Sequence, residues 1–224
     1  MNTQWIRLSG GAVIVALFGV GCSMSPAMTH SMPGPTARAA TSATAAADLR
    51  TGLNALLGEH VMLAAAATNA ALGGRQAEFA AAAAALDANS VDIARAIGSV
   101  YGAGAEQAFL PLWRRHIGFF VDYTVGVATK DKPKQDRAVN DLVGYTQDFG
   151  AFLASANPNL PKAVVADLVK THVLTLKDVV DAQAAGNHPK AYMALRGAAG
   201  HMAMIADPLA EAIVKQFSSK YAAQ

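Results

Sequence analysis

The sequence is poor in the residues on which catalysis and long-range electrostatics usually draw. Of its 224 residues one is cysteine (Cys22), 15% are charged and 7% are aromatic. A single thiol permits no disulfide within the chain, so packing has to hold the fold together. The formal net charge is +2, and lysines and arginines are scattered among the acids. No basic stripe interleaved with aromatics exists, which removes nucleic acid from the candidate partners. Glutamate occurs at four positions, Glu59, Glu78, Glu106 and Glu211. None stands in a Glu-x-x-His pair, so the di-iron centre of ferritin-like bundles is excluded. The patterns G-x-S-x-G, H-E-x-x-H, G-x-x-x-x-G-K-[ST], G-x-G-x-x-G and C-x-x-C-H are missing as well. No enzyme class follows from the sequence, and binding is expected rather than catalysis.

What the chain does contain is alanine-rich apolar sequence, 53% hydrophobic overall, with few alternating β-branched runs. That composition favours helices over sheet, and the expected fold class is all-α. Residues 1–22 read as a signal peptide: a short polar start carrying Arg7, the apolar run GGAVIVALFGVG, then Gly21-Cys22. The run is too short for a mature transmembrane helix. A small residue before a lone cysteine resembles a bacterial lipoprotein signal with Cys22 as the lipidated residue, although Gly19 stands where that signal usually has leucine. The alternative is an ordinary secretory signal cleaved further on. Either way the protein is expected to be exported, to the membrane or cell envelope. Residues 23–47, rich in Ser, Pro, Thr and Ala, read as a flexible tether, and residues 48–219 as the folded domain.

Within that domain the chain repeats itself. His60, His116 and His172 are spaced 56 residues apart, and the same shift superimposes Leu56, Leu112 and Leu168, Leu57, Trp113 and Val169, and Ile93, Phe149 and Ile205. Such ungapped self-similarity signals a repeated supersecondary unit. Turn signals (Gly73-Gly74, the run KDKPKQD, Gly186-Asn187-His188-Pro189) divide each unit into two helical patterns. Three tandem αα-hairpins follow, six helices of about 20 residues and about 30 Å each. A closed bundle with pseudo-threefold symmetry is preferred over an open solenoid. Pro208 is expected to break the last helix or to start a new short segment.

The repeated histidines occupy core positions of amphipathic stripes, as in Leu53, Leu56, Leu57, His60, Leu63. Twenty-nine residues after each lies a polar companion, Asn89, Tyr145 or His201, and three further on Asp92, Asp148 or Met204. Residues i and i+3 share a helix face. Neutral imidazole is the commonest metal ligand, and an added thioether selects soft copper. The expected metal ligands are therefore His60, His116, His172, His201 and Met204, with Asn89, Asp92, Tyr145 and Asp148 as supporting groups. Met24, Met28, His30 and Met32 of the tether fit the same chemistry. Copper is favoured, with zinc and haem left open, for buffering or transferring the ion at the cell surface. The competing expectation is a non-catalytic structural or interaction module of the envelope. There each histidine hydrogen-bonds its Asn89, Tyr145 or Asp148 companion and only specifies packing. In that case an unidentified protein partner carries the function.

The motifs LLGEH, ANSVDIARAIGSVYG, LWRRHIGFFVDYT, YTQDFGAFL, THV and GHMAMIADPLAEAI together resemble a group of exported bacterial helical-repeat proteins of unassigned function. Some of them are labelled copper amine oxidase-like because of an attached domain that this chain lacks. The resemblance spans nearly all of residues 48–217 and implies an exported helical domain.

Overall fold

The computed structural model describes residues 44–222. The signal and tether expected upstream, including Cys22 and the tether methionines, lie outside the described residues. Six helices account for nearly all of what is described: α1 (Ala45–Leu72), α2 (Gln76–Tyr101), α3 (Ala103–Ala128), α4 (Lys132–Ala156), α5 (Lys162–Ala184) and α6 (His188–Gln216). They run 23 to 29 residues, longer than the spacing of turn signals suggested. The first begins three residues before Asp48, because the Thr44 side chain accepts a hydrogen bond from the Ala47 N–H and caps it.

The three turns inside hairpins are built alike, which is compatible with the 56-residue repeat. Gly74, Lys130 and Gly186 each take a left-handed backbone, with φ of 69°, 56° and 64°. In each case the following N–H reaches a carbonyl five residues back: Arg75 to Ala70, Asp131 to Gly126 and Asn187 to Ala182. These bonds satisfy the last carbonyls of α1, α3 and α5. Asp131 and Asn187 then accept from the Lys134 and Lys190 amides and start α4 and α6. Between hairpins the links differ. Gly102 alone, at φ 91° and ψ 169°, turns α2 into α3, a backbone region essentially confined to glycine.

Each odd helix packs on both neighbouring even ones, α1 on α6 included, so the bundle closes. α1, α3 and α5 also touch one another across its middle. Apolar residues of all six helices fill the interior, among them Phe109, Leu142, Leu176 and Ile213, each at most 1% exposed. At Gly150 the α4 backbone approaches α5 so closely that a Cβ would sit 2.6 Å from the Lys162 carbonyl oxygen. At one end of the bundle the buried Asn157 side chain donates to the Tyr101 hydroxyl. That hydroxyl donates to Gln216, whose amide in turn reaches the Ala156 carbonyl, linking the ends of α2, α4 and α6.

The break expected at Pro208 does not occur: α6 continues through it to Gln216. Proline in a helix interior costs about 3 kcal/mol, yet Leu209, Ala210, Ala212 and Ile213 beyond it are all buried. The Met204 carbonyl that loses its partner belongs to a solvent-facing residue, so water can satisfy it. Core burial outweighs the missing bond. Pro111 is carried inside α3 in the same way.

Candidate metal centre

Because α1, α3 and α5 form the inner triangle, the one histidine each carries at the same height points into a single layer. His60, His116 and His172 are 1%, 2% and 4% exposed. One ring nitrogen from each lies within 4.8 Å of the other two. Three points so placed share a centre no more than about 2.8 Å from any of them, close to the roughly 2.0–2.1 Å of a metal–imidazole bond. Two nitrogens bound to one ion at those lengths stand about 3.3–3.6 Å apart for tetrahedral to trigonal angles. Nε2 of His60 and Nε2 of His116 are 3.4 Å apart.

That contact also has the length of a weak hydrogen bond between two neutral rings, but it satisfies only two of the six ring nitrogens. Nδ1 of His60, Nδ1 of His116 and both nitrogens of His172 are buried without a partner. A buried polar group left so costs about 1–3 kcal/mol, and four in one layer are a concentrated expense in stability. The expected alternative partners do not supply the bonds. Asn89 turns its amide to the Leu56 carbonyl (3.0 Å) and to Glu59 (2.8 Å). Tyr145 stacks its ring on His116 with centroids 4.9 Å apart. Asp148 is drawn out to Arg115. The hydrogen-bonded polar layer of the packing-only expectation is therefore not formed through these residues.

The electrostatics prepare the rings as ligands. Burial, reinforced by His116 and His172, holds His60 well below its usual range. Burial and the neighbouring His172 bring His116 down to about 3, and burial with His201 brings His172 to about 4. All three are neutral at neutral pH, the form in which a lone pair is free for a cation. Around them the walls are aromatic. The Trp113 ring lies 4.9 Å from His60 and 4.7 Å from His116 between centroids. Among the described residues no carboxylate hydrogen-bonds any of the three imidazoles.

The remaining expected ligands are not brought into this cluster. His201 is buried beside His172, but its Nε2–H donates to the Leu168 carbonyl at 2.8 Å, the counterpart, two units on, of Asn89 on Leu56. Met204 is 58% exposed. Asp92 is exposed and pairs with Arg95 at 3.0 Å. The reason is common to the three i, i+3 pairs: the first member faces the core, while the core position after it is taken by the i+4 residue (Ile93, Phe149 or Ile205) instead of i+3. Asp92, Asp148 and Met204 thus fall on the solvent side of the stripe.

A cavity adjoining the layer had no place in the sequence reading. It measures about 290 Å³, and its inner wall is formed by His60 and His116. Its cause is visible in the repeat register. One turn past each histidine stand Ala64, Phe120 and Leu176, and the alanine leaves the space that a large side chain would fill. Trp113, which the 56-residue shift aligns with Leu57 and Val169, forms the aromatic wall of the histidine layer. Three buried histidines that could hold a metal ion are thus in place. Compared with known proteins, the chain matches no protein-family model, no curated protein and no solved structure, so what the domain does has to be read from this site.

Proposed function

We propose that this bundle is a metal-binding protein that takes copper(I) through His60, His116 and His172 and buffers the ion or hands it on outside the cytoplasm. The observation that carries the reading is the convergence of three buried neutral imidazoles, one from each hairpin, with one ring nitrogen of each within 4.8 Å of the other two. Neutral nitrogen ligands suit copper and zinc alike. The surroundings favour the monovalent ion: a dication buried among apolar groups with no carboxylate nearby bears a larger desolvation penalty. Zinc held by three histidines would take a water as its fourth ligand, since neither His201 nor Met204 joins the cluster. Export and anchoring through Cys22 belong to the same proposal and rest on residues 1–22 of the sequence alone.

The test is metal titration of the purified full chain with copper(I), copper(II) and zinc, beside His116→Ala. One equivalent of copper(I), tighter than zinc and lost in the variant, is the expected result. An absorption-edge spectrum showing three nitrogen neighbours at about 2 Å would identify the ligand set. A wild-type chain that binds none of the three ions refutes the reading, and zinc bound more tightly than copper(I) corrects the ion.

A further inference from the structure

The three hairpins differ at the position that follows each layer histidine by 29 residues, where Asn89, Tyr145 and His201 stand. In every hairpin this residue lies against the helix turn that carries the histidine. Asn89 donates to the carbonyl of Leu56, four residues before His60, and Tyr145 stacks on His116 itself. His201 donates from Nε2 to the carbonyl of Leu168, four residues before His172, at 2.8 Å. A carbonyl only accepts, so the neutral His201 ring keeps its proton on Nε2 and its lone pair on Nδ1. His201 is 7% exposed, and its Nδ1 bonds to none of the described residues. Unlike Nδ1 of His60, His116 and His172, that atom is not sealed from solvent. A free nitrogen lone pair thus stands at the margin between the layer and the outside. Three residues on, the Met204 side chain is 58% exposed. In the other two hairpins the corresponding residues are Asp92 and Asp148, already paired with Arg95 and Arg115. Only the third hairpin carries two soft ligands in succession from solvent toward the layer.

We propose that His201 and Met204 are the exchange ligands of the copper centre: the Met204 sulfur takes copper(I) at the surface, His201 Nδ1 receives it from the sulfur, and His172 receives it from His201 as α5 and α6 part. Release runs in the reverse order. The inference rests on the copper(I) reading of the three-histidine layer and adds which hairpin the ion crosses. Each step exchanges one dative bond for another; the ion stays monovalent, and no electron or proton changes place. Thioether and imidazole are both ligands that copper(I) accepts. A bare ion crossing the apolar seam would have to shed its ligands where nothing solvates it, which is costly. His201 removes that gap, because its lone pair is available after the sulfur is left and before the layer is reached. Its hydrogen bond to Leu168 holds the ring in the tautomer that the transfer needs.

The experiment loads the full chain with one equivalent of copper(I) under argon at pH 7.5. Titration gives the affinity. Bicinchoninate, which colours as it captures each ion that leaves, gives the release rate at concentrations where that rate has levelled. The loading rate follows from the two. His201→Asn is the informative variant, because Asn89 shows that asparagine at this position keeps the bond to the helix carbonyl while it lacks the lone-pair nitrogen. It should release and load at least tenfold more slowly, with an affinity within twofold of the wild type, since an exchange ligand changes both rates by one factor. Met204→Leu, an exposed change, should slow both at least threefold, and it carries the test if His201→Asn fails to fold. Wild-type rates in a folded variant would overturn the proposal. So would slow exchange accompanied by weakened affinity, which would make His201 a resident ligand of the centre. A wild-type chain that takes up no copper(I) fails the copper reading and this inference together, whereas normal affinity with unchanged rates fails this inference alone.

Discussion

Replacing His172 by leucine should make the metal-free protein more stable, the opposite of what deleting a well-used core residue does. His172 is 4% exposed and neither of its ring nitrogens has a partner. Leucine occupies a similar volume, so repacking should cost less than about 1.5 kcal/mol. Removing two unsatisfied buried groups returns about 1–3 kcal/mol each. The net expectation is a gain of about 0.5 kcal/mol at the least and about 6 kcal/mol at the most. For a domain of this size each kcal/mol raises the melting temperature by about 2–4 °C. Urea denaturation followed by far-ultraviolet circular dichroism, in EDTA at pH 7.5, measures it. With copper(I) in excess the order should reverse, since an ion that binds only the native state stabilises it by RT ln(1 + [L]/Kd) and the variant lacks a ligand. If His172→Leu instead loses a kcal/mol or more without metal, the imidazole makes a stabilising interaction in the apo protein. The reasoning from unpartnered nitrogens would then be refuted.

Two further expectations follow from the same structure. Acidification should unfold the metal-free protein steeply. The folded-state values of His116 and His172 lie at about 3 and about 4 and that of His60 is also lowered, against about 6.5 in the unfolded chain. The unfolded state therefore binds protons first, and stability that is level above pH 6.5 falls as pH drops toward 4. The loss is on the order of 2 kcal/mol per histidine by pH 5. Urea midpoints at pH 7.5 and 5 check this, and a smaller drop in His172→Leu identifies the source; equal drops in both proteins would contradict it. Lys130→Gly should stabilise by about 1 kcal/mol, because Lys130 holds at φ 56° a left-handed backbone that glycine adopts without the Cβ penalty. A melting temperature that stays level or falls in that variant would show that the turn bears no strain there.

How far the sequence could be read depended on which feature repetition marks. The 56-residue spacing of His60, His116 and His172 placed one imidazole on each of three helices, and the structure brings those three rings to one layer. The turn glycines and the KDKPKQD run marked where helices end, because left-handed and capping residues are local requirements that no distant contact alters. Residues at the edge of the apolar stripe were another matter. Asp92, Asp148 and Met204 sit one position from the core face, and a rotation of the helix by a fraction of a turn decides whether they face ligand or water. Asn89 shows a different limit. It is buried as its stripe position implied, but its amide takes a backbone carbonyl and Glu59 across the hairpin, a choice made by distances between helices. Pro208 was misread because the local cost of a proline was visible and the burial of Ile213 beyond it was not. The cavity could have been found by asking which layer of the repeat changes size, since Ala64 answers Phe120 and Leu176.

The depth of the histidine layer also sets a clock. Rings exposed by 1% to 4% cannot be approached by an acceptor protein, so an ion held by them would leave when the helices part. Release would then follow the opening rate of the bundle instead of the strength of a coordinate bond. Residence time could be tuned from the surface, by residues that never touch the ligand.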